Sequence, residues 1–286
     1  IAALFGSSKH VVSGPNTAIS LVVFAAISKL GVVPGSEEFI AKALTITLMA
    51  GIIQLALGLG RMGTLINFVS HVVLVGFTTG AALLIVESQI KHFLGLEIPA
   101  GMSFVDAIEQ IILNIQNTNL PSLAVGTLTF AVAIVSKKIF PKIPNLLVAI
   151  IAGSLLALAF DSEKSGIKLV GHFSGGLPPL SMPDFSFEAL TILSQSAFAI
   201  ALLGLIQTVA IGRSISSKSE QVLDNNQEFI GQGLSNIVGS FFSNYAGAGS
   251  FTRSGLNYES GAKTPLSAVF ASLILMVIVL VVSPLI

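Results

Sequence analysis

Charged residues are scarce in this chain: Asp, Glu, Lys and Arg make up 10% of its 286 residues, whereas a soluble domain carries roughly a quarter. A chain of this size needs more charge to be solvated, so the composition excludes an ordinary soluble globule. The 14 basic and 14 acidic side chains cancel, which leaves no basic field for a nucleic-acid backbone, and we expect no nucleic-acid partner. Cysteine is absent, which excludes disulfides, thiolate metal ligands and cysteine nucleophiles.

Apolar residues are abundant, at 53% of the chain, and the mean hydropathy is +0.89. A helix needs about 20 apolar residues to cross a hydrocarbon core of about 30 Å. The runs that reach or approach this length are 39–59, 69–94, 120–140, 144–160, 187–212 and 264–284. The sequence therefore predicts an all-α polytopic membrane protein that is surrounded by the lipid bilayer.

Two further apolar segments, 11–28 and 229–258, are interrupted by Gly, Pro, Ser, Thr and Asn. Lipid cannot hydrogen-bond to bare backbone, so such clusters are expected where the backbone lines a cavity inside the protein. A matched pair of interrupted segments is typical of a transporter site between two opposed half-helices, whose N-terminal N–H groups attract an anion. We expect the runs 13–17 and 247–254 to lie close together.

Individual residues in these runs have expected roles. Pro15 suits the first turn of a helix, while Ser13 and Ser250 suit the position that caps a helix start. Arg253 is an ionisable residue in an apolar segment, which favours a functional role. The structural alternative is an Arg that pairs internally or extends to the membrane surface.

The remaining segments carry weaker signals. Residues 103–116 have the pattern of an interfacial helix that Ser103 caps, and 161–186 is interpreted as a linker between two halves. Glu87 is expected to pair with Lys91 one helical turn later. The histidines have no metal-binding spacing, and no serine elbow or paired carboxylates stand at a recognisable catalytic spacing, so we expect no metal, no cofactor and no enzyme activity.

Three stretches resemble the SulP family of sulfate-permease-like anion transporters, in the family's order and spacing: 13–21, 76–96 and 226–269. The resemblance implies fourteen membrane segments in two inverted repeats of seven, with two broken half-helix segments and a core domain that moves against a gate domain. It places this chain from the third to the eleventh or twelfth segment. The terminal helices and the cytoplasmic STAS domain are therefore expected to lie outside it.

The resemblance also implies which parts of the chain do what. Residues 1–68 and 187–286 would belong to the core domain, and 69–160 to the gate domain. In many relatives a carboxylate of the eighth segment, suited to coupling with H⁺ or Na⁺, stands where this chain has Gln207, which argues against symport through this position. The substrate-binding residues carried over are Pro15, Asn16, Thr17, Gln207, Ser250, Phe251, Thr252 and Arg253.

The sequence thus predicts a secondary active transporter of small anions, of the sulfate, bicarbonate or dicarboxylate class. The anion would be held between two half-helix N-termini and Arg253 and carried by alternating access. The alternatives are an anion channel and a nucleobase carrier of the same fold, although such carriers use acids where this chain has Gln207 and Arg253. We expect a plasma (inner) membrane location, a homodimer of the full-length protein, and H⁺ or Na⁺ as the candidate co-transported ions.

Overall fold

The computed structural model describes residues 1–64, 71–99, 102–140, 143, 145–160, 165–167 and 176–282. The helices are, in chain order, α1 (Ala2–Phe5), α2 (Thr17–Ser28), α3 (Glu37–Leu59), α4 (His71–Phe93), α5 (Phe104–Leu113), α6 (Leu120–Ile139), α7 (Asn145–Ala159), α8 (Phe187–Ser219), α9 (Asn225–Ser240), α10 (Phe251–Glu259) and α11 (Leu266–Val282). A 3-10 turn follows α5 at Ile115–Asn117, and two short strands, β1 (Ser13–Pro15) and β2 (Gly247–Gly249), complete the fold.

The helices coincide with the apolar runs of the sequence. Within the described ranges, α3, α6 and α8 are long and apolar enough to cross a membrane, and α2, α7 and α11 are shorter apolar helices. Helix α8 continues to Ser219, seven residues beyond the predicted run 187–212. The few predicted positions at 69–70, 144 and 283–284 lie outside the described residues.

The chain divides into two compact units, one of residues 1–78 and 174–286 and the other of residues 79–173. The boundary falls within α4. Assignment of the segments 1–68, 69–160 and 187–286 to core and gate stays a prediction, because compactness does not reveal which part moves.

The first unit is built around α2, α3 and α8. Along α2, the side chains Ile19, Val23 and Ile27 recur every four residues and are at most 1% exposed, so one face of this short helix is covered. They belong to one apolar cluster with Ile46 of α3 and Ile200 of α8. Since α2 continues the first interrupted segment, this cluster anchors that segment to two long helices.

Helices α3 and α9 approach each other through glycines. A Cβ atom added to Gly51 would lie 2.7 Å from the backbone N of Ile237, and one added to Gly233 would lie 2.5 Å from the backbone N of Leu55. Neither position has room for a side chain. Small residues at such a contact are typical of membrane helix pairs, because they let the two backbones touch.

The second unit contains the C-terminal part of α4 together with α5, α6 and α7. Gly95 ends α4 with a φ of 66°, and the N–H of Leu96 bonds back to the Lys91 carbonyl at 2.8 Å, a common glycine helix stop. Ser103 caps α5, since its Oγ accepts a bond from Asp106 N at 3.3 Å. The predicted helix and its cap are confirmed, and its interfacial location stays a prediction.

The predicted ion pair between Glu87 and Lys91 is wrong for the described part of α4. An ion pair with the same four-residue spacing forms in α3, where Lys42 Nζ lies 3.2 Å from Glu38 Oε1. Lys91 instead lines a cavity of about 240 Å³, together with Ser122 at the start of α6.

Residues 176–186, the described end of the predicted linker, form no helix or strand. The Asp184 N–H donates to Thr45 Oγ1 of α3 at 2.8 Å. The Ser186 N–H donates to Asp184 Oδ1 at 2.8 Å, which lowers the pKa of that carboxyl below its usual value. Local bonds of this kind dock the segment before α8 begins.

The glycine contact between α3 and α9 can be tested by its effect on the free energy of unfolding. We expect Gly233→Ala to lower the free energy of unfolding by about 1–3 kcal/mol, because the added methyl forces two helix backbones apart. Thermal unfolding of the purified protein in detergent measures it. The control is Gly255→Ala in α10, where an added Cβ meets no atom within 4 Å; an equal loss in both variants would contradict the packing argument.

Candidate functional site

The two interrupted segments meet in a short antiparallel ladder. Its three pairs are Ser13 with Gly249, Gly14 with Ala248, and Pro15 with Gly247. Strand β1 runs into α2 and strand β2 runs into α10. Because the strands are antiparallel, the two half-helices start at opposite ends of the ladder and point away from it. The expectation that 13–17 and 247–254 lie close together is confirmed.

Each half-helix begins at a side-chain cap. Asn16 Oδ1 accepts a bond from Ile19 N at 3.1 Å, and Ser250 Oγ accepts one from Arg253 N at 3.4 Å. The prediction for Ser250 is confirmed. The first N–H groups of each helix have no carbonyl partner within it, so both starts present donors and partial positive charge.

The roles predicted for Ser13 and Pro15 at the start of α2 are wrong. Both lie in β1, and the chain stays extended through Asn16, at φ −142° and ψ 160°. Because these residues pair with β2, the helix begins only at Thr17. The Ser13 hydroxyl is used elsewhere, since its Oγ donates to Gln232 Oε1 of α9.

The start of each half-helix also holds the strand of the other. Asn16 Nδ2 donates to the carbonyl oxygens of Gly249 at 3.3 Å and Ala248 at 3.5 Å. In return, Arg253 Nη2 donates to the Pro15 carbonyl oxygen at 2.7 Å. The guanidinium lies against Gly14, where an added Cβ would be 3.2 Å from Nη1. We call these two reciprocal contacts the crossed clamp.

Amide side chains of neighbouring helices support β2. Gln232 Nε2 donates to the Gly247 carbonyl at 2.8 Å. Asn236 donates to the same carbonyl at 3.1 Å and accepts from the Gly247 N–H at 3.0 Å. Gln54 of α3 accepts from Asn236 Nδ2 at 2.8 Å. These three amides are at most 2% exposed, so they replace water for the backbone of the ladder.

Hydroxyl groups complete this support. Thr208 Oγ1 of α8 accepts from the Gly249 N–H at 2.9 Å, and Ser254 Oγ of α10 accepts from the Val12 N–H at 2.9 Å. These hydroxyls and the three amides are not among the predicted site residues. The available signal was an isolated Gln within the apolar run of α3, and the four-residue spacing of Gln232 and Asn236.

The predicted site residues fall into two groups. Arg253 bonds to Ser250 and to the Pro15 carbonyl, and Asn16 bonds to the carbonyls of Ala248 and Gly249. Thr17, Phe251 and Thr252 are exposed neighbours on the same two chain segments. Gln207 stands apart: it is 6% exposed, and its Oε1 has no hydrogen-bond partner among the described residues. It precedes Thr208, whose hydroxyl bonds to β2.

The two segments that form the crossed clamp carry charge of one sign. Residues 10–20 and 245–258 contain Arg253 but no Asp or Glu. One guanidinium and two helix starts therefore face no nearby carboxylate from their own segments. This arrangement suits the binding of a small anion by N–H and hydroxyl donors.

Residues 1–286 of the chain match the model of the Sulfate permease family. The chain belongs to the sulfate permease family. A relative among known proteins is "Sulfate transporter 4.1, chloroplastic" of Arabidopsis thaliana, 36% identical over 282 residues, which are 96% of this chain and 40% of the relative. The chain spans about two fifths of the length of this relative.

Two solved structures share the fold of this chain. The transmembrane domain of the cyanobacterial bicarbonate transporter BicA matches with a TM-score of 0.83 and 27% identity, over 99% of this chain and 72% of that one. The murine Slc26a9 anion transporter in its inward-facing state matches with a TM-score of 0.84 and 24% identity, over 98% and 50%. The chain therefore has the inverted-repeat transporter fold of sulfate permeases.

The cap of α2 makes a second stability prediction. We expect Asn16→Ala to cost about 0.5–2 kcal/mol of unfolding free energy, because the Ile19 N–H loses its acceptor. Asn16→Asp keeps an acceptor at the helix start and should unfold near the wild-type temperature. The control is Thr17→Ala at the next, exposed position. Equal losses in the Ala and Asp variants would show that the bonds to β2, rather than the cap, dominate.

Proposed function

We propose that this chain is the transmembrane part of a secondary active transporter for small anions. The observation that carries the proposal is the crossed clamp, which joins two capped half-helix starts and includes Arg253, in segments (10–20 and 245–258) that contain no Asp or Glu. Membership of the sulfate permease family supports it, because the relatives are named as transporters. The proposal places the protein in a membrane, with the plasma (inner) membrane as the expected one.

The anion would lie beside the clamp and accept bonds from its free donors. Arg253 supplies charge, and the hydroxyls of Ser250 and Thr252, which hydrogen-bond to each other at 3.3 Å, leave one O–H to donate. Gln207 would contribute a buried amide from α8. Pro15, Asn16, Thr17 and Phe251 would shape the two helix starts against which the anion rests.

The substrate class follows from these donors. Sulfate, bicarbonate and dicarboxylates all present oxygen acceptors, and relatives are named for sulfate and bicarbonate. A nucleobase carrier is disfavoured, because recognition of a base by carboxylates needs acids that residues 10–20 and 245–258 lack. No coupling carboxylate stands at Gln207 either, so H⁺ and Na⁺ are candidate co-substrates only through other residues.

Transport would proceed by alternating access. Residues 1–68 and 187–286 would form parts of the mobile core domain, and 69–160 part of the gate domain. The full-length protein, as a homodimer, would carry the anion as the core moves against the gate.

Uptake by the full-length protein in liposomes tests the proposal. Labelled sulfate, bicarbonate and a dicarboxylate are supplied outside, with and without unlabelled anion inside. Uptake that saturates, and that is faster when unlabelled anion is present inside, supports a carrier. Such exchange requires the binding site to face each side of the membrane in turn. Unsaturable flux without acceleration would indicate a channel, and no flux of any of the three anions would overturn the proposal.

The role proposed for Arg253 can be tested by the affinity of the protein for the transported anion. We expect Arg253→Gln to raise the KM for the transported anion by the equivalent of about 1–3 kcal/mol, as for loss of a charge-assisted bond. Arg253→Lys should fall between, because it keeps the charge but loses the guanidinium geometry. The matched control is Lys263→Gln, at an exposed cation beyond α10. An unchanged KM in a folded Arg253→Gln protein would assign Arg253 to structure alone.

The presence of Gln207 predicts how transport is coupled to H⁺ and Na⁺ gradients. We expect wild-type uptake to depend weakly on an imposed H⁺ or Na⁺ gradient, because an amide neither takes up a proton nor offers a cation a charge. Gln207→Glu should create a pH dependence in which uptake rises as pH falls: burial disfavours the ionised carboxyl, and the ionised form repels the anion. Uptake against pH, with Gln195→Glu on the exposed side of α8 as the control, measures it. Strong gradient-driven accumulation by the wild type would contradict this interpretation.

A further inference from the structure

Helix α9 presents a stripe of buried polar side chains to the interrupted segments. Glu228, Gln232 and Asn236 follow at four-residue spacing, which puts them on one helix face, and they are 5%, 2% and 1% exposed. Gln232 and Asn236 hold the ladder directly. Glu228 lies one turn earlier and was not singled out in the sequence.

Glu228 binds the chain that leads into β1. Its Oε1 accepts bonds from Ser8 N at 2.5 Å, Ser7 N at 2.6 Å and Ser7 Oγ at 3.0 Å. No cation pairs with it among the described residues, where it is the sole buried acid. A buried charge is costly unless strong bonds compensate it, and here two backbone N–H groups and a hydroxyl provide them.

The ladder needs such support because its own register is weakly specified. It has three residue pairs, and β2 consists of Gly, Ala and Gly, a strand type in which alternative pairings differ little in energy. A slip of one residue would move β1 by about 3.3 Å along β2. The Pro15 carbonyl would then leave Arg253 Nη2, and the crossed clamp would open.

Between Ser8 and the ladder, Lys9 N donates to Gln221 Oε1 at 3.1 Å, and four bonds of His10 and Val12 hold the chain to residues 250–262. The Val12 carbonyl accepts from the Ser250 N–H at 3.0 Å, and the His10 carbonyl accepts from Asn257 Nδ2 at 3.0 Å. Both of these partners lie at or within α10 and would move with it. Glu228 instead fixes Ser7 and Ser8 to α9, together with the Asp224 carbonyl, which accepts from Ser7 Oγ at 3.1 Å, while Gln232 of the same helix holds Ser13. The glycine contact joins α9 to α3.

We propose that Glu228 is a positioning residue that sets the register of β1 on β2, and thereby the placement of the two half-helix starts and Arg253 around the anion. This inference rests on the proposed function for its transport readout. The carboxylate touches no substrate; it acts through the backbone of residues 7–13.

A double-mutant cycle tests the proposal in the full-length protein. Glu228→Gln should raise the KM for labelled sulfate about tenfold, the size of effect that loss of a bond to a charged group produces. In the Arg253→Gln background, the same change should raise the KM far less, because the contact that it displaces is already gone. Equal fold-changes in both backgrounds, or an unchanged KM, would overturn the proposal.

The control is Asp224→Asn, an exposed acid four residues earlier whose side chain caps α9. Asn caps as well as Asp, so this variant removes one nearby charge and should leave the KM unchanged. If Glu228→Gln does not fold, Glu228→Asp replaces it. The Asp variant keeps the charge but withdraws it from Ser7 and Ser8, and the same non-additive rise in KM is expected.

A second readout does not depend on transport. Spin labels on Thr17→Cys and Phe251→Cys, both at exposed positions, report the distance between the two half-helix starts. A change of roughly 3 Å, or a broadened distribution, in Glu228→Gln supports a register slip. An unchanged, narrow distance overturns the proposal even if the protein transports anions. A wild type that transports no anion would instead refute the proposed function and leave the distance result standing.

Discussion

The constraint behind this structure is that the backbone of the two interrupted segments must find its hydrogen bonds inside the protein. In a bilayer neither water nor lipid supplies them. The ladder satisfies part of the requirement, and Gln232, Asn236 and Thr208 satisfy the Gly247 and Gly249 groups that it leaves. Buried polar residues of α8 and α9 thus lie where the backbone of the strands needs partners, and the first N–H groups of each half-helix have no carbonyl partner within the helix.

The glycine contact between α3 and α9 is part of the same arrangement. An added Cβ on Gly51 would lie 3.0 Å from Asn236 Cβ, and Asn236 bonds to Gln54 across this interface at 2.8 Å. The amides of two helices reach one another and β2 only because the helix backbones touch. Packing of small residues and hydrogen bonding by large polar ones therefore depend on each other, and loss of either would leave buried polar groups unpaired.

Local signals explain what could be predicted from the sequence. The sequence predicts the apolar runs, the two interruptions rich in Gly, Pro and Ser, and the Ser250 cap. Each of these features depends only on residues that are close together in the sequence. The start of α2 was misplaced, since the choice of Asn16 over Ser13 depends on pairing with β2, far along the chain. Glu228 was missed for the same reason: nothing near it in sequence reveals that its carboxylate binds the Ser7 and Ser8 N–H groups.

Charge balance links the clamp to the proposed substrates. Each half-helix start contributes about half a positive charge at most, and Arg253 adds a whole one that is partly engaged by the Pro15 carbonyl. The sum approaches the charge of sulfate or a dicarboxylate without exceeding it, and it exceeds the single charge of bicarbonate. A carrier must also release its anion, and a site with one guanidinium and several neutral donors binds less tightly than a cluster of cations would. The absence of Asp and Glu from residues 10–20 and 245–258 matters for the same reason, because one carboxylate there would cancel about half of this positive charge.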